Sequence, residues 1–118
     1  MVSLAVARRV ALALPEVTEQ DHHGMPSFRV REKIFATVPD ARHLHVMLDS
    51  FVTHAAIGAC PSACEELWWG PRLSGVRVNL DHADRELLVD LLDEAWRRRA
   101  PKPLREAYER KRPGVRRK

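Results

Sequence analysis

Eleven of the chain's 20 basic residues fall from position 97 onward: Arg97-Arg98-Arg99, Lys102, Arg105, Arg110, Lys111, Arg112, Arg116, Arg117 and Lys118. Only Glu106 and Glu109 oppose them, so this end carries a net charge of +9. Up to Trp96 the balance reverses, with nine Lys/Arg against 14 Asp/Glu, a net of −5. A basic run of this kind attracts a phosphate backbone through the number of its charges and without reading bases. The chemistry it offers is therefore salt-sensitive, sequence-tolerant polyanion binding. The same cations have intramolecular uses as well. Arg97 to Arg99 complement the dipole at a helix C-terminus, and a basic end matches an acidic body.

A second set of cations sits where a hairpin is expected. Arg29, Arg31 and Lys33 alternate or cluster there, with Arg42, Arg72 and Arg77 nearby in the expected topology, and such side chains on an exposed strand face can contact phosphate. Solvated edge strands also carry Lys and Arg simply to prevent aggregation, and Glu32 and Asp40 dilute the local charge. Arg outnumbers Lys 16 to four, which suits bidentate phosphate contacts but equally reflects a GC-rich genome.

Other chemistries find less support. Nucleophilic catalysis needs a base and an orienting third group, and Ser50, Ser62, Ser74, Cys60 and Cys64 lie in no nucleophile motif. There is no Gly-rich phosphate loop, so no catalytic residue and no cofactor is expected. Cys60 and Cys64 at Cys-x3-Cys spacing, even with His43 and His45 on one strand face, make a weak zinc signature, and no metal site is expected. His22-His23 behind Asp21 reads as an exposed polar loop. The pair Trp68-Trp69 offers rings on which a base or ligand can stack, although such a pair commonly divides between core and surface.

These residues need elements to position them. Ser3 caps a first helix in which Leu4, Ala7, Val10, Ala11 and Leu14 form one apolar stripe, ended by Pro15. Glu16 to Met25 reads as a loop. Phe28 and Val30 alternate with Arg29 and Arg31 before a second run, Ile34 to Val38, with Glu32-Lys33 at the tip. His43 to Leu48 alternates again, placing Leu44, Val46 and Leu48 on one face and His43, His45 and Met47 on the other. A helix spans Ser50 to Ala59. Glu65 to Trp69 is read as a strand that pairs, through Gly70-Pro71 and Ser74-Gly75, with Val76 to Leu80. Asp81 or Asp84 then caps the clearest helix, whose face is Leu87, Leu88, Leu91, Leu92, Ala95 and Trp96, and a last polar helix covers Leu104 to Lys111.

This order of elements resembles the MmcQ/YjbR family, and three stretches carry the resemblance over roughly residues 5 to 104. Ala11-Leu12-Ala13-Leu14-Pro15-Glu16-Val17 is similar to the family's helix end. Pro26-Ser27-Phe28-Arg29-Val30-Arg31-Glu32-Lys33-Ile34-Phe35-Ala36 is similar to its first hairpin, and Asp90 to Lys102 to its closing helix. The chain departs from the family in having Arg31-Glu32 where Gly is frequent, and no Trp in the last strand. The resemblance implies a double-wing fold commonly described as DNA-binding, with no invariant functional residues to carry over.

The sequence thus predicts an α+β fold with an antiparallel sheet of about five strands, arranged helix, three strands, helix, two strands, helix and C-terminal helix. One domain is expected over 1–112, with a basic, disordered tail over 113–118. Arg8 and Arg9 interrupt the first apolar stretch, so no signal peptide or membrane span is expected, and two cysteines suit a reducing, cytoplasmic setting. The functional expectation is a non-enzymatic DNA-binding protein contacting phosphate through Arg29, Arg31, Lys33, Arg42, Arg72, Arg77, Arg97, Arg98, Arg99 and Lys102. The alternative is a protein-interaction module, dimeric or otherwise, using the exposed sheet face, with small-ligand binding third.

Overall fold

The structure is a computed structural model that describes residues 1–111, so the tail expected over 113–118 lies outside the described residues. Side-chain caps set its helix starts. The Val6 amide donates to Ser3 Oγ at 3.2 Å and opens α1 (Leu4–Leu12). The Val52 amide donates to Asp49 Oδ1 at 2.8 Å and opens α2 (Ser50–Ala59). Of the two candidate caps before α3 (Arg85–Arg99), Asp84 serves, accepting from the Leu87 amide at 2.9 Å. Asp81 is instead absorbed into a 3-10 turn over Leu80–His82. Each such cap satisfies an amide that has no partner within the helix. Helix α4 (Lys102–Lys111) starts directly after Pro101. Among the described residues, no helix is long and apolar enough to cross a membrane.

The fold is α+β, with six antiparallel strands: β1 (Val17–His22), β2 (Met25–Val30), β3 (Lys33–Asp40), β4 (His43–Met47), β5 (Cys64–Trp69) and β6 (Arg72–Asn79). Their spatial order is β1-β2-β3-β4-β6-β5. The strand beyond the expected five is β1, which the sequence reads as loop. It pairs only with β2 and buries none of its side chains, so it carries no apolar alternation to announce it.

The turns also differ in detail from the sequence reading. The β2–β3 tip is Arg31-Glu32, one residue earlier than expected, and both residues lie in the left-handed region with φ of 50° and 68°. A two-residue hairpin loop of the twist-matched kind demands this even where Gly is missing. The β5–β6 turn is Gly70-Pro71 alone, with Gly70 at φ 60°. Ser74 and Gly75, expected at that turn, lie inside β6.

Helices α1, α2 and α3 pack on one face of the sheet. Phe28, Val30, Val46, Val76 and Val78 meet Leu88, Leu92 and Trp96 there, all fully or almost fully buried. The Trp96 indole donates to the Pro15 carbonyl at 2.9 Å, tying the closing helix to the end of the first. On the opposite face one polar row runs in register across all six strands: Gln20, Ser27, Thr37, His45, Arg77 and Glu65. That parity follows from the two-residue period of a strand: in the central strands Thr37, His45 and Arg77 are each flanked on both sides by buried residues of the helix-covered face.

Candidate nucleic-acid interface

Consecutive residues on an α-helix point about 100° apart, so the three arginines ending α3 meet three different environments. Arg97 turns toward α4. Its Nε donates to Asp93 at 2.7 Å, it pairs with Glu109, and its guanidinium lies 5.1 Å from the centre of the Tyr108 ring. The Tyr108 hydroxyl donates to the same Asp93 carboxylate at 2.8 Å, and its ring tilts against Trp96 at 4.9 Å. Arg97 is therefore a clamp between two helices, with only 17% of its side chain exposed. Arg98 and Arg99 have no carboxylate within ion-pairing distance among the described residues.

The β5–β6 hairpin brings further groups to this helix end. Together Met47, Trp69, Arg72, Leu73, Ser74, Arg98 and Arg99 line a cavity of about 320 Å³. Gly75 permits the approach of the strands beneath it. A Cβ there would stand 2.0 Å from the Val46 carbonyl oxygen and 2.9 Å from the Leu48 nitrogen, and Gly75 sits at φ 153°, which side chains disfavour. Met47, buried, lies in register with Gly75, while the Trp69 ring remains half exposed. Arg72, which faces Trp69 across the turn, likewise has no ion-pair partner among the described residues. The Arg99 Nε is shut off from solvent with no hydrogen-bond acceptor. Burial, and secondarily repulsion from Arg98, lower the Arg99 pKa. Three arginines without ion-pair partners among the described residues thus border one concavity, Arg72 and Arg98 exposed and Arg99 partly buried, an arrangement whose chemistry suits an anion.

The remaining sequence-predicted cations are placed elsewhere, and most are engaged. Arg29 donates to Ser27 Oγ at 3.1 Å and to the Asp21 carbonyl at 3.4 Å. Arg31 grips both carboxylate oxygens of Glu16, whose pKa that hydrogen bonding lowers. Arg42 pairs with Asp81 at 3.4 Å. Arg77 pairs with Glu65 at 3.3 Å, reaches Asp40 at 3.9 Å and donates to His45 Nε2 at 2.9 Å. Lys33 and Lys102 are exposed and lack ion pairs among the described residues. Three strands separate β2 from the far edge, so the first hairpin's cations do not join Arg72, Arg98 and Arg99.

Two features of this end were only half visible in sequence. Trp68 and Trp69 stood out as stacking candidates, but nothing tied either to a cation. Trp68 is engaged, its indole donating to Glu66 at 3.0 Å, whereas Trp69 lines the arginine cavity. Met47, expected to present itself on an exposed sheet face beside His43 and His45, is 1% exposed. That face carries the ion-paired row around Arg77. Burial, then Arg77 and then His43, push His45 down to about 4, so its imidazole is neutral and accepts from Arg77.

Two other cavities hold less chemistry. One of about 100 Å³ beside His43, Cys64, Glu65, Arg77 and Asn79 is small, and its arginine is already paired. Cys64 in its wall is pushed up to about 11 by burial and by Cys60, which keeps it a thiol. Another, of about 240 Å³, is a wedge among α1, α3 and α4. Among the described residues there is no group of three or more His, Cys, Asp or Glu able to hold a metal ion.

Comparison with known families gives a match to the YjbR family model over residues 12–98, a stretch that contains the whole sheet, α2 and all but the last residue of α3. No curated protein and no solved structure matches the chain.

Proposed function

The chain belongs to the YjbR family, and we propose that it is a non-enzymatic, cytoplasmic DNA-binding protein that contacts phosphate at the arginine-lined end of its sheet, with little base readout. One observation carries the reading. Of the cations that the fold could present, Arg72, Arg98 and Arg99 converge on a single cavity without a carboxylate partner among the described residues. Most other candidate arginines are spent on internal pairs, so charge number at this end sets the affinity.

Fluorescence-anisotropy titration with a duplex at several salt concentrations tests it. Each phosphate contact contributes about 0.9 to the slope of log K against log salt, so three contribute about 2.7. A fourfold rise in salt then weakens binding about 40-fold through these contacts alone. Replacing Arg72, Arg98 and Arg99 by Gln should remove that share. No binding at low salt, or an unchanged slope in the triple variant, would sink the proposal.

A second reading, a protein-interaction module, is favoured by one feature. Strand β5 is an outer strand, and it exposes both Trp68 and Trp69. Edge-to-edge pairing of two copies would make a dimer. Sedimentation as a monomer at high protein concentration would remove the self-pairing form of this reading.

A further inference from the structure

We infer that the Trp69 cavity receives one unstacked nucleotide of a single DNA strand, its base against the indole and its neighbouring phosphates on Arg72, Arg98 and Arg99. The inference rests on the phosphate-binding reading above and adds the substrate class.

A site for phosphate alone needs cations and amides, and gains nothing from an apolar wall. This cavity has such a wall. Trp69 is 52% exposed, and Met47 and Leu73 stand beside it. An indole lining the same cavity as three guanidinium groups suits a base joined to its phosphate, because every base offers a π-face whatever its identity. The geometry links the two halves. Trp69 and Arg72 are paired residues flanking the two-residue turn Gly70-Pro71, so the stacking surface and one cation come from the same short, constrained hairpin. Arg98 and Arg99 approach from the end of α3.

Size points the same way. At about 320 Å³ the cavity falls at the small end of ligand sites, enough for one nucleotide and too little for a base pair. In duplex DNA the bases are stacked and their faces hidden, so the indole would find no partner there without unstacking a base. A single strand presents those faces freely. Arg98 also borders a neighbouring cavity with Asp49 and Glu94, but neither carboxylate closes to ion-pairing distance, which leaves Arg98 available to the strand.

The test compares four probes of one protein by anisotropy and competition: a labelled oligothymidine, a duplex of the same length, an abasic oligonucleotide with the same number of phosphates, and thymidine monophosphate as competitor. The oligothymidine should bind roughly 5- to 160-fold more tightly than the abasic strand, the size of one base–aromatic stack. Trp69→Ala should abolish that difference while leaving abasic binding in place, and Trp69→Phe should restore most of it. A second readout avoids dependence on the alanine variant. In Trp68→Phe, Trp69 is the one exposed tryptophan, since Trp96 is buried, and its fluorescence should be quenched by oligothymidine and not by the abasic strand.

Equal, salt-dependent binding of oligothymidine, duplex and abasic strand would overturn the nucleotide site while sparing the phosphate-binding reading. Absence of binding by every probe at low salt would overturn both. Thymidine monophosphate competing as strongly as the oligonucleotide would reassign the cavity to a free nucleotide and overturn the single-strand assignment.

Discussion

Arg97→Gln and the adjacent pair Arg98→Gln and Arg99→Gln should have opposite phenotypes, although the three residues are contiguous and chemically identical. Removing the Arg97 guanidinium takes two carboxylate partners and a ring contact from the α3–α4 junction. It leaves Asp93, 18% exposed, still accepting from the Tyr108 hydroxyl. Breaking a fully buried pair costs about 3–5 kcal/mol and an exposed one about 0–1. The intermediate burial here places the loss near 2 kcal/mol, or a fall of roughly 6–10 °C in Tm for a domain of this size. Arg98 and Arg99 have no such pairs, so their replacement should leave Tm within about 2 °C. Each should instead lower the salt slope of DNA binding by about 1. Differential scanning calorimetry and anisotropy titrations on the same three variants give both readouts. Arg97→Gln that kept its Tm and lost salt slope as Arg98→Gln does would refute the division of roles.

Two further outcomes follow from the sheet. Gly75→Ala must move backbone that stands 2.0 Å from the new Cβ, so β4 and β6 cannot keep their pairing. A loss of at least about 3 kcal/mol is expected in urea unfolding, and a near-neutral result would show the strands are less tightly apposed than described. His45 has a folded-state pKa of about 4, below its ordinary 6.5, so the unfolded chain takes up the proton first. Its contribution to stability is complete above pH 6.5 and is lost as pH falls toward 4. His45→Gln should flatten the pH dependence of Tm in that window, and an unchanged profile would assign the effect to other groups.

Much of the fold was legible because its signals are local. Ser3 and Asp49 cap the helices that follow them, Leu88, Leu91, Leu92, Ala95 and Trp96 share one buried helix face, and Gly70-Pro71 turns β5 into β6. Strand β1 escaped because an edge strand with no buried side chain has no apolar period to read. The β2–β3 tip shifted by one residue because Arg31 and Glu32 adopt a conformation that their side chains do not advertise.

The site divides in the same way. By itself the sequence determined that the body is acidic and the end basic, that two tryptophans stand together, and where the cations lie along the chain. Only the tertiary structure decided which cations are spent. Glu16 reaches Arg31, Glu109 reaches Arg97, and Glu65 reaches Arg77, while the hairpin carrying Trp69 and Arg72 is brought into the sheet by the β4–β6 pairing, which has no local signature. Charge is a property of composition and is additive along the chain. Whether a charge is neutralised depends on distances of a few ångströms between residues far apart in sequence, and those distances are set by packing.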